Sequence, residues 1–271
     1  MDSELTLMAV HAHPDDEVLG TGGSFARYSA EGIRTVLVTC TNGEQGDGPG
    51  GVKPGRPGHD ERQVSRRRLA ELRESAAHLG IGHIELLGYR DSGMAGWEAN
   101  HAPGAFAGVP VAEAARRLAV LMERYRPQVV VTYDERGGYG HPDHIQAHRI
   151  TMAAAELSGV PDKLYYTAVP RGRIKEMAAR AAEAGWDFGE EELPEDFGTP
   201  DELITTSLDV SAYAERKRRA LQAHASQSDS IFLLQLPEEL QLRVFGEEHF
   251  VRVRCRIDAP AREDDLFAGL R

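Results

Sequence analysis

Apolar residues recur along the chain in two rhythms. Residues 5–10, 35–40, 83–87, 128–133 and 163–169 are short, nearly continuous apolar runs, as buried strands are. Between them, residues 18–29, 60–79, 110–126 and a later stretch carrying His148 read as helices. In residues 110–126 the stripe is Val111, Ala114, Ala115, Leu118, Leu121 and Met122, which lines one helix face. Gly32 and Gly80 stand where the first two helices have to end. Regular alternation of strand and helix predicts an α/β fold, a mostly parallel twisted sheet flanked by helices. Residues 172–185, 210–225 and 237–245 read as further helices, 186–200 as an acidic surface loop, and 249–257 as a late strand. Residues 1–170 are expected to form the core. Residues 171–271 are expected to add a small C-terminal lobe that completes the same domain.

Composition narrows the class. The 271 residues suffice for one large core, and 41% hydrophobic with 27% charged content is that of a soluble globular protein. A formal net charge of -12 leaves no basic footprint for nucleic acid. No apolar run is long enough to cross a bilayer. The start, Met1-Asp2-Ser3-Glu4, lacks the basic segment of a signal peptide. Cys40 and Cys255 lie in strand-like runs and read as free thiols, which suits a reducing cytoplasm. A homo-oligomer stays compatible with all of this.

The chemistry gathers where strands end. His11-Ala12-His13-Pro14-Asp15-Asp16-Glu17 follows the first strand and opens the first helix, the usual ligand crevice of an open α/β sheet. So many charged groups are costly to bury without a partner. Imidazole with carboxylate suits Zn²⁺ or Fe²⁺, so His13 and Asp16 read as ligands and Asp15 as a base. The bland alternative is that His13 and Asp16 only cap a turn and a helix start. A second cluster, from Asp134 to His144, follows the fourth strand. His144 and His148 share one helix face; His148 alone reads as a surface or capping residue. His144 can complete a His13–Asp16–His144 set that leaves positions open for water and substrate. Residues 46–58, rich in glycine and proline, read as a lid over the crevice. Arg90 and Asp91 could hold hydroxyls or pair with each other in a turn. A non-haem iron oxygenase uses the same ligand types, and a non-catalytic sugar-binding domain is a further alternative.

The two clusters together resemble the LmbE-like (PIG-L) family of zinc-dependent N-deacetylases. Ala12-His13-Pro14-Asp15-Asp16-Glu17 and His141-Pro142-Asp143-His144 carry the resemblance. Arg68 with Glu71, and Lys217 with His224-Ala225-Ser226-Gln227, extend it. Within the family, Arg90-Asp91-Ser92-Gly93-Met94 and the closing Leu266-Phe267-Ala268-Gly269 look like the mycothiol branch. That branch comprises N-acetylglucosaminyl-inositol deacetylases and mycothiol S-conjugate amidases. The resemblance implies a Rossmann-like sheet and an amino-sugar substrate. It implies zinc, with Fe²⁺ as the substitute, on His13, Asp16 and His144, and Asp15 as general base. It further implies a protonated His141 that stabilises the oxyanion, Asp143 orienting His141, and Tyr139 reaching the tetrahedral intermediate. Arg68 and Asp91 would hold sugar or inositol hydroxyls.

Overall fold

Six consecutive buried residues, Thr6–His11, make β1 the middle of the molecule. In a computed structural model of the chain, which describes residues 4–183, 197–227 and 232–271, the elements alternate as the apolar rhythm predicts. α1 (Asp16–Ala30), β2 (Arg34–Thr41), α2 (Glu61–Leu79) and β3 (His83–Tyr89) follow β1. They are followed by α3 (Val111–Tyr125), β4 (Val129–Thr132), α4 (Pro142–Ser158), β5 (Lys163–Ala168) and α5 (Arg171–Glu183). β6 (Thr206–Asp209), α6 (Ala214–Ala223), α7 (Glu238–Gly246) and β7 (Glu247–Cys255) close the chain.

The seven strands form one sheet in the order β3-β2-β1-β4-β5-β7-β6. The first five in that order are parallel, and β7 and β6 are antiparallel to their neighbours. The chain leaves β1 towards β2 and later returns to its other side as β4. The carboxyl ends of β1 and β4 therefore flank the switch point of the sheet. Alternate residues of each strand face opposite layers. Met8, Val10, Val36, Val38 and Val130 pack with Leu118, Met122 and Ile150 of α3 and α4. Leu7, Ala9, Leu37 and Val131 pack with Phe25, Leu72 and Leu221 of α1, α2 and α6.

The C-terminal segment completes the sheet. β6 was not read from the sequence, because Thr-Ser-Leu-Asp is four residues long and only two of them, Thr206 and Leu208, face inward. The helix expected over 210–225 is a 3₁₀ turn, Ser211–Tyr213, followed by α6. Most of the acidic loop expected over 186–200 lies outside the described residues. Lys217 of α6, fully buried, pairs with Glu248 at 2.7 Å and donates to Leu19 O. Glu248 also accepts from the amides of Gly23 and Ser24. This motif residue thus ties α6 and β7 to α1. Lys217→Ala strands a buried carboxylate and is expected to cost about 3–5 kcal/mol of stability. Urea unfolding of the variant measures it.

Candidate metal centre

The turn after β1 bends sharply. Asp15 has φ 121°, a left-handed value that costs a non-glycine residue of order 1–3 kcal/mol. Two carboxylates hold the turn. Asp16 Oδ2 accepts from the His13 amide at 2.7 Å, and Glu17 Oε2 accepts from the Asp15 amide at 2.9 Å. Asp16 therefore does not merely cap α1, since its carboxylate bonds a residue before the helix. On the other side of the switch point, His141 caps α4, its Nδ1 accepting from the Asp143 amide, with Pro142 at the first helical position. One turn of α4 then brings His144 over the end of β1.

Donor atoms of three residues converge. His13 Nδ1 lies 3.3 Å from Asp16 Oδ2 and 3.3 Å from His144 Nε2, and His144 Nε2 lies 3.4 Å from Asp16 Oδ1. Ligand atoms about 2.0–2.1 Å from a tetrahedral zinc are separated by about 3.3–3.4 Å. The tautomers agree with this. His13 Nε2 faces the Asp143 carboxylate at 3.2 Å and must donate to it; His144 Nδ1 faces the Gly137 carbonyl at 3.2 Å and must donate there. With these tautomers one nitrogen of each ring faces the other ring and Asp16, an arrangement that calls for a cation in the middle, a metal ion or, without one, a proton on His13. Charge supports it. Burial opposes protonation of His13, but Asp91, Asp143 and Asp16 outweigh it and raise its pKa well above the usual range. Burial likewise opposes ionisation of Asp16, yet His144 and His13 hold its carboxyl well below the usual range. The donor set fits zinc or Fe²⁺. Gly137 has to be glycine here: its φ is +65°, and a Cβ would sit 2.7 Å from that of His144.

The other candidate residues ring this triangle. Arg68 Nη2 pairs with Asp15 Oδ1 at 3.1 Å and donates to Pro14 O, while Nη1 donates to Gly43 O. Glu71, three residues on, bonds Arg67 and Ser226 instead of Arg68. Asp91 is buried beside His13 Nε2, 3.6 Å away, and accepts from the Gly93 amide. Arg90 pairs with Glu61 and not with Asp91. Asp143 was expected to orient His141. Its amide does that, while its carboxylate holds His13 and the Ser92 amide, because the start of α4 points it across at β1. Burial, with His13 and His144 close by, pushes His141 down to about 2, so the ring is neutral and not protonated. Nδ1 accepts, so the neutral ring carries its proton on Nε2. Tyr139, in the helical turn Gly137–Gly140, is exposed and stands edge-on to His141 and His144.

Sequence reasoning passed over Tyr133 and His11. The Tyr133 hydroxyl donates to Asp16 Oδ2 at 2.7 Å and accepts from the Ala12 amide, and its ring stacks on His144. His11 lies between Tyr133 and Thr21. The signal was positional: each sits at or beside the end of a central strand. His148 is structural, its Nδ1 bonded to Tyr133 O. Cys40 and Cys255 are free. The presumed lid is tied down at its start, where the Asp47 amide donates to Gln227 and Lys53 pairs with Asp47.

Residues 8–155 match the family model described as PIG-L: GlcNAc-PI de-N-acetylase. The chain belongs to that family. Both halves of the donor triangle fall inside the matched span. A 1D-myo-inositol 2-acetamido-2-deoxy-alpha-D-glucopyranoside deacetylase from Acidothermus cellulolyticus is 43% identical over 278 residues, 98% of this chain and 95% of its own. Among solved structures, N,N'-diacetylchitobiose deacetylase from Pyrococcus horikoshii aligns with TM-score 0.59 at 20% identity, over 92% of this chain and 83% of its own. A 4-carboxy-2-hydroxymuconate hydratase from Pseudomonas putida aligns with TM-score 0.60 at 17% identity, over 94% and 99%. A deacetylase and a hydratase thus share this PIG-L fold equally well, so the fold alone does not choose the chemistry.

Proposed function

We propose that this PIG-L family member is a zinc-dependent hydrolase that removes the acetyl group from the nitrogen of N-acetylglucosaminyl-inositol. The observation that carries the reading is the near-full-length similarity to the deacetylase from Acidothermus cellulolyticus, with the donor triangle in place. His13, Asp16 and His144 hold the metal. When bound, it polarises the amide carbonyl and makes its water acidic enough to lose a proton near neutral pH.

The chain's own residues do the rest. Asp15 takes the proton from the attacking water and returns it to the leaving amine. Its carboxylate is steadied by Arg68, so it does not swing into the metal position. His141 donates from Nε2 to the oxygen that gains charge, and a neutral donor there costs less to bury than a charged one. Tyr139 meets the same oxygen from the exposed side. Arg68 and Asp91 hold hydroxyls. Arg68 Nη1 and Asp91 Oδ2 are 3.8 Å apart, too far for a direct hydrogen bond. A sugar hydroxyl between them can accept from one and donate to the other. We place the enzyme in the cytoplasm, in keeping with two free cysteines. No helix among the described residues is long and apolar enough to cross a membrane.

A substrate panel tests the reading. N-acetylglucosaminyl-inositol is expected to give the highest kcat/KM among N-acetylglucosaminides, and mycothiol S-conjugates a lower one. A preference for the S-conjugates would make the chain an amidase instead. The hydroxyl role has its own test. Asp91→Ala is expected to lower kcat/KM about 10–100-fold more on the glycoside than on a minimal N-acetyl amide. Equal losses on both would assign Asp91 to His13 alone.

A further inference from the structure

Glu17 and His224 are not used by the mechanism above, yet both are completely buried. Glu17 sits in the first turn of α1, and His224 follows α6, 207 residues later. Their pair measures 2.7 Å, Glu17 Oε1 to His224 Nε2. Ser75 of α2, also fully buried, donates to the same oxygen at 2.5 Å. The second oxygen of Glu17 accepts from the Asp15 amide at 2.9 Å. Among the described residues His224 Nδ1 has no hydrogen-bond partner, so within them Glu17 alone fixes the ring by a hydrogen bond. A buried carboxylate–imidazole pair is a poor way to gain stability, since apolar residues of the same size serve as well or better.

What this pair touches is the strained residue. Among the described residues, Asp15 and Arg126 are the non-glycine residues with positive φ. Arg126, with φ 51° and ψ 48°, is an ordinary left-handed helix end. Asp15, with φ 121° and ψ -27°, lies in no ordinary region and has to be held there. We propose that Glu17, braced by His224 and Ser75, is a strut that locks the backbone of Asp15 so that its carboxylate faces the attacking water. Arg68 grips the Asp15 side chain and the strut grips its amide, so the residue is fixed at two points by α1, α2 and the segment after α6. Glu17, His224 and Ser75 are positioning residues and act through Asp15. The inference rests on the reading of Asp15 as the base.

The test is a double-mutant cycle on the zinc-loaded full-length chain, read by single-turnover kinetics at high enzyme concentration. His224→Ala is expected to lower kcat about 10–100-fold, as a small misplacement of a reacting group does. KM and bound zinc are expected to stay unchanged, and the loss to be equal on the glycoside and on a minimal N-acetyl amide. His224→Gln, which restores a neutral N–H donor to Glu17, is expected to recover most of it. In an Asp15→Ala background, His224→Ala is expected to cost nothing further, because residues acting through one another are not additive. The same factor lost in both backgrounds overturns the strut, as does loss of zinc or an unchanged kcat in folded His224→Ala. If His224→Ala does not fold, Ser75→Ala removes one donor only and is held to the same non-additivity. Wild-type activity in Asp15→Ala alone would remove the base reading and the strut together, and is a separate observation from additivity.

Discussion

Asp15→Ala is expected to lower kcat by about 10²–10⁴-fold, the usual worth of a positioned general base. Zinc should remain bound at one per chain. The separation follows from geometry: the three converging donors belong to His13, Asp16 and His144, whereas Asp15 is turned towards Arg68. The companion variant His144→Ala opens the triangle and should lose metal first and activity as a result. Metal analysis beside kinetics decides the matter. An Asp15→Ala protein that loses its zinc, together with a His144→Ala protein that keeps it, would reverse the assignment.

Removing the metal is expected to have the larger effect on the protein as a whole. Chelation should abolish deacetylation, and zinc should restore it. The stripped site leaves the His13 and His144 rings and the Asp16 carboxylate facing one another with no metal between them. The folded state should also lose the linkage energy of binding, about 4 kcal/mol when free metal stands at about 1,000 times its Kd. Thermal unfolding with and without zinc measures that part independently of catalysis. Reconstitution with Fe²⁺ separates the two metals that the donor set admits. Full activity in metal-free protein would overturn the centre altogether.

Both clusters of candidate residues and the five parallel strands were legible because each rests on a local pattern. His13 and Asp16 are three residues apart at a strand end, and His144 falls one turn into a helix. Most of what was not read depends on neighbours distant in sequence. Arg68 and Glu71 sit on a helix rich in charged residues, yet both are buried, because the loops after β1 and β2 fold over Arg68 and Ser226 covers Glu71. Asp143 was placed behind His141, its neighbour in sequence, whereas its carboxylate crosses the sheet to His13. Four residues of β6 carry too short an alternation to distinguish a strand from a loop. Tyr133 looked like the last apolar residue of a strand, and only the fold shows its hydroxyl on a ligand carboxylate.

The embrace of α1 by the last third of the chain has a consequence in time. By residue 144 a nascent chain has all three residues proposed to hold the metal. It still lacks His224, Lys217 and Glu248, which hold α1 and its first turn from behind. Domains fold as units during synthesis at about 5–20 residues per second. For several seconds, then, the turn has only its own carboxylates, Arg68 and Ser75 to hold it, without the brace from the last third of the chain. The metal site is complete in composition early and in shape only near the end of synthesis, so a stalled or truncated product would carry the motifs of the enzyme without its working geometry.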